Sequence, residues 1–132
     1  MLAGLNLLFL ITASGQQIGM TREEVKQDLV KRGMTAQSGS LFSKENPGDD
    51  LFTKVNDFGH IEFVFDSNRC HTILYAPDDM VLARAFISKL SKKFLTVDDE
   101  VWNGIENSFV VQIKLYLTSD NTALFVKKGT LN

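Results

Sequence analysis

Residues 60–76 read HIEFVFDSNRCHTILYA, two apolar runs separated by Asp66-Ser67-Asn68-Arg69. Asp and Asn tolerate left-handed backbone angles and bond to their own backbone, so this quartet predicts a tight turn. With Ser67-Asn68 as a two-residue loop, the stretch becomes a β-hairpin with a definite register. Phe65/Cys70, Phe63/Thr72 and Ile61/Leu74 then face each other on one side, which is the expected core face. Val64/His71, Glu62/Ile73 and His60/Tyr75 occupy the other, mixed side. A one-residue slip would move the phenylalanines into water.

Outward from the hairpin, the neighbouring segments read as further antiparallel strands. Ala36–Ser43 and Leu51–Asn56 precede it, joined through a Pro47-Gly48 turn, and Asp57-Phe58-Gly59 leads into it. A helix is expected before this meander. Thr21 as N-cap and Glu24 three residues on form a capping box, and Met20 is placed to staple onto Val25. The helix runs to about Arg32, where Gly33 provides a left-handed stop and Met34 folds back on Leu29. A second helix opens at Pro77-Asp78-Asp79. Its apolar stripe is Leu82, Ala83, Phe86, Ile87, Leu90 and Phe94, suited to covering the phenylalanine face of the sheet.

The chain closes in strands. Ser108–Leu117 alternates, with Val110, Gln112, Lys114 and Tyr116 on the polar side, and Thr122–Lys127 returns after a Ser119-Asp120-Asn121 turn. One more strand is expected between Asp98 and Asn107. The order is then β-α-ββββ-α-βββ, an α+β fold in which two helices pack on one face of an antiparallel sheet. The leading strand of that order is residues 5–12, LNLLFLIT. The same residues, followed by Ala13-Ser14-Gly15, also read as a cleavable export signal lacking a positive start. A retained segment favours the cytoplasm; a cleaved one points to the periplasm or secretion.

The 132 residues fit one domain with a core that requires no staples, and 44% hydrophobic with 23% charged is an ordinary globular balance. A net charge of −2 with scattered Lys and Arg offers no case for nucleic acid. The apolar segments are too short for a stable membrane span. No repeat of obvious period is visible.

Chemistry is sparse. His60, Glu62 and His71 share the mixed face, but at about 3.4 Å per residue the two histidines are roughly 13 Å apart, too far for one ion. Glu62 and His71 are diagonal neighbours placed to form an ion pair; the alternative is a small enzyme that uses them. Cys70 falls on the core face as a small hydrophobe. Asp49-Asp50, Asp78-Asp79 and Asp98-Asp99-Glu100 lie at turns or helix starts, where capping and solvation account for them. No cofactor, metal site or catalytic set is expected. The remaining candidate is a binding surface on the open sheet face: His60, Glu62, His71, Ile73, Tyr75, Gln112, Lys114 and Tyr116. Its partner would be another protein, with a homodimer contact or a solvated face as the alternatives.

The run Gly19-Met20-Thr21-Arg22-Glu23-Glu24-Val25, entering a helix that ends in glycine before a strand meander, resembles the small bacterial domains related to β-lactamase-inhibitor protein and the SmpA/OmlA outer-membrane assembly lipoprotein. The resemblance implies an antiparallel sheet with helices on one face. It also implies protein binding rather than catalysis, as an inhibitor or immunity-type factor or as an envelope assembly accessory. No functional residue is carried over from it.

Overall fold

The computed structural model describes residues 17–41, 50–55, 58–106 and 108–131. The segment 5–12, read above as strand or signal, lies outside them. The first described element is helix α1, Arg22–Lys31. Thr21 accepts from the Glu24 N–H while the Glu24 carboxylate accepts from the Thr21 N–H, closing the capping box. Those bonds favour the ionised carboxylate and lower the Glu24 pKa. At the other end Gly33 has φ +77°, and Met34 N–H donates to the Leu29 carbonyl at 2.9 Å. This is the expected glycine stop, satisfying carbonyls the helix leaves open.

Four strands follow: β1 (Gln37–Ser38), β2 (Leu51–Val55), β3 (Gly59–Asp66) and β4 (Arg69–Pro77). Helix α2, Met80–Lys93, starts at Asp79, whose side chain accepts from Leu82 N–H at 2.9 Å. Four more strands complete the chain: β5 (Leu95–Asp98), β6 (Val101–Glu106), β7 (Phe109–Leu117) and β8 (Ala123–Leu131). The sequence reading placed three strands here. It missed β5, a short edge strand with every residue exposed and a bulge that breaks its pairing to β6.

The eight strands among the described residues form one antiparallel sheet in the order β1-β2-β3-β4-β8-β7-β6-β5. Among the described elements the order is therefore α-ββββ twice, with β4 and β8 paired at the centre. No residue-level period announces this doubling, because it exists only at the level of elements. Val25 and Leu29 of α1 and Ala83, Phe86 and Leu90 of α2 join a single apolar cluster with Leu51, Phe63, Tyr75, Trp102, Ile113 and Phe125. Phe86 packs edge-on against both Tyr75 and Phe125, with centroids 4.9 and 4.7 Å away.

The central hairpin departs from its expected register. Ser67 and Asn68 both have positive φ, as a two-residue type I′ turn requires, and Phe65 pairs with Cys70 as expected. The ladder then shifts: Val64 pairs with Thr72, Phe63 with Ile73 and Ile61 with Tyr75. His71 is the extra residue of a β-bulge, and beyond it every β4 side chain changes face. Asp50, fully buried at the start of β2, accepts from Phe65 N–H at 3.5 Å beside the irregularity. Asp50 is thus not a solvated turn residue.

Candidate functional site

The bulge decides which residues are available at the surface. Ile73 and Tyr75, expected on the open face, are core residues instead, 1% and 2% exposed. Tyr75 packs against Phe86 and Phe125 and donates its hydroxyl to the Phe58 carbonyl at 3.0 Å. Burial raises its pKa. Their outward places are taken by Thr72 and Leu74.

Glu62 does lie on the outward side, between Phe63 and Ile61 of the core face, but it is fully buried. Ser40 hydroxyl donates to its Oε2 at 2.9 Å and Leu41 N–H donates to Oε1. The diagonal Glu62–His71 pair therefore does not form. His71 sits in the bulge near the hairpin tip, its Nδ1 sharing a 2.6 Å hydrogen bond with Thr72 Oγ1. His60, half-buried opposite Ala76, is at the far end of the hairpin from it. Among the described residues, no group of three His, Cys, Asp or Glu side chains is placed to hold a metal ion. Cys70, 2% exposed, has its thiol pushed up to about 12 by burial, the opposite of an activated nucleophile.

Gln112, Lys114 and Tyr116 of β7 are all exposed, on the same sheet as His60 and Glu62. The cross-strand register defines their surroundings. Gln112 lies between Asn103 of β6 and Lys128 of β8; Lys114 lies between Val101 and Val126; Tyr116 pairs with Leu124, and Val110 with Ile105 and Thr130. Gln112 donates to Asn103 Oδ1 at 3.1 Å, which fixes its amide on this face. Gln112, Lys114, Tyr116, Val126 and Lys128 enclose a shallow hollow of about 70 Å3. Tyr116 is 49% exposed and Ile105 69%. This is an aromatic and aliphatic surface bearing two diagonal lysines, with Asp98 at its β5 edge.

Sequence reasoning missed Val126, Lys128, Ile105 and Asn103 as members of this face, and left Val110, which it placed on the same side of β7, out of the candidate surface. The alternation within β7 and the turn into the last strand were visible, but that strand was expected to end at Lys127, whereas β8 runs to Leu131 and places Lys128 opposite Gln112.

One buried charge pair lies on the opposite, core side. Lys127 of β8, 1% exposed, forms a salt bridge with Glu106 of β6, and its ammonium stands 5.7 Å from the centroid of the Phe94 ring. Burial raises the Glu106 pKa and lowers that of Lys127, in each case outweighing the attraction of the partner.

No helix among the described residues is long and apolar enough to cross a membrane. Comparison with known protein families, curated proteins and solved structures finds no match to this chain.

Proposed function

We propose that this chain is a non-enzymatic protein-binding module, in which both helices cover one side of the sheet and the outward face of β6, β7 and β8 docks an acidic partner protein. The observation that supports this is the composition of that face. Tyr116, Val110 and Ile105 offer apolar contact area, and Gln112 and Asn103 offer amide groups. Lys114 and Lys128 supply positive charge to meet carboxylates. Aromatic and aliphatic centres with sparse, like-signed charge suit protein recognition, where complementary charge guides encounter and register. An inhibitor, an immunity-type factor or an envelope assembly accessory would each use such a face. The enzymatic alternative draws no support from the geometry, since Glu62 is enclosed by Ser40 and Leu41 while His71 sits at the hairpin tip.

Photo-crosslinking tests this directly. A benzoylphenylalanine replacing Tyr116 should crosslink one acidic protein in native-host cells. The adduct should disappear in a Lys114→Glu/Lys128→Glu background and weaken with added salt. The same probe at His60 should give no such adduct. An adduct unchanged by charge reversal, or equal labelling from both positions, would overturn the proposal.

A further inference from the structure

On the edge of the core side, away from the docking face, the hairpin tip overhangs a hollow of about 380 Å3. That volume is within the range of small-molecule sites, roughly 300–1,000 Å3. Its floor is backbone. Residues 18–20 run beside the start of β4, with Gly19 N–H donating to the Cys70 carbonyl at 2.7 Å and Cys70 N–H to the Met20 carbonyl at 2.8 Å. Gly19 has φ +90°, and a Cβ there would stand 2.6 Å from the Phe109 ring. Only glycine lets that ring approach as the hollow's apolar wall.

The rim is charged in both senses. Asp66 and Arg69 face each other across the turn, yet among the described residues they form no ion pair. Arg69 instead donates from Nη1 to the Gly19 carbonyl at 3.1 Å, which anchors the guanidinium over the floor. The bulge brings His71 to the same rim, and its Nδ1 contact with Thr72 holds the ring and leaves Nε2 for an outside group. An arginine, a histidine and an aspartate around an apolar wall make a set complementary to a small zwitterion.

We propose that this hollow binds a free α-amino acid with an apolar side chain. The carboxylate lies against Arg69 and His71, the ammonium against Asp66, and the side chain against Phe109. Both charges of the ligand are required, because loss of either leaves one charged rim group without the contact that the zwitterion supplies.

The test is a titration followed by amide NMR, using L-phenylalanine as the probe, with 2-phenylethylamine and 3-phenylpropanoate as analogues lacking one charge each. Saturable shifts are expected at the amides of Gly19, Arg69, His71 and Phe109. Each analogue, and each of Arg69→Gln and Asp66→Asn, should bind at least about tenfold more weakly, as expected for loss of one charged contact. Shifts elsewhere in the spectrum report whether a variant still folds, and the analogue series on the unaltered chain needs no variant. Absence of saturable shifts at millimolar amino acid, or analogues binding as well as L-phenylalanine, would overturn the proposal.

Discussion

The two halves of the sheet share one element order and treat their outward faces in opposite ways. In the first half, every residue of β3 from Ile61 to Phe65 and of β4 from Thr72 to Tyr75 is buried, outward-pointing Glu62, Val64, Thr72 and Leu74 included. In the second half, β7 alternates, so that Val111 and Ile113 are buried while Val110, Gln112 and Lys114 are exposed. Strands covered on both sides read as continuous apolar runs, and strands covered on one side read as alternation. The halves also bury charge on opposite sides. The first encloses the Glu62 carboxylate on the outward side; the second encloses Lys127 and Glu106 within the core. Equivalent scaffolds thus yield one closed half and one half with a surface available for contact.

The largest effect is expected from Ile73→Asp. The bulge at His71 places Ile73 opposite Phe63 in the core, 1% exposed, so the substitution buries a carboxylate without a partner. We expect no cooperative thermal transition from this variant. Deleting His71 instead leaves Phe65/Cys70, Val64/Thr72, Phe63/Ile73 and Ile61/Tyr75 as the pairs of a plain ladder, so that variant should fold with Tyr75 still against Phe86 and Phe125. A cooperative Ile73→Asp variant would mean that β4 does not hold the bulged register.

The buried pair of the second half should give the next largest effect. Lys127→Met leaves the Glu106 carboxylate buried without its counter-ion and should cost about 3–5 kcal/mol in urea unfolding. Adding Glu106→Leu should return stability to the original level or above it, because desolvation outweighs attraction for both groups. The pH dependence follows the same logic. The folded carboxyl holds its proton above the ordinary 4.5, so its contribution to stability falls as pH rises through the raised value. The folded ammonium releases its proton below the ordinary 10.5, so stability rises with pH between the lowered value and 10.5. The double variant should lose both slopes; retention of either would assign it to other groups.

How far the sequence foretold this arrangement depends on the range of the signal. The capping box at Thr21, the stop at Gly33, the Asp79 start of α2 and the Ser67-Asn68 turn are local, and each is found where its residues place it. The bulge was not legible, because Thr72 to Ala76 is apolar or small throughout and satisfies either face equally. Only burial of both faces of β4 selects the observed register, and that burial is a property of the assembled sheet rather than of residues 72–76. Glu62 likewise looked like a surface acid because its partners, Ser40 and Leu41, lie beyond a loop. Gln112, Lys114 and Tyr116 were legible because β7 keeps a plain two-residue alternation with polar groups on one side. Their neighbour Lys128 was not, since the last strand was expected to stop at Lys127, whereas β8 runs on to Leu131.

The difference between the halves is tested most directly by one matched pair of apolar-to-threonine changes followed by equilibrium urea unfolding. Leu74 and Val110 both point outward, the first 8% and the second 42% exposed. Leu74→Thr should cost about 2–4 kcal/mol, through lost burial and a hydroxyl placed in an apolar setting. Val110→Thr should change stability by less than about 0.5 kcal/mol. Equal losses at the two positions would contradict the account, for the second half would then be as closed as the first.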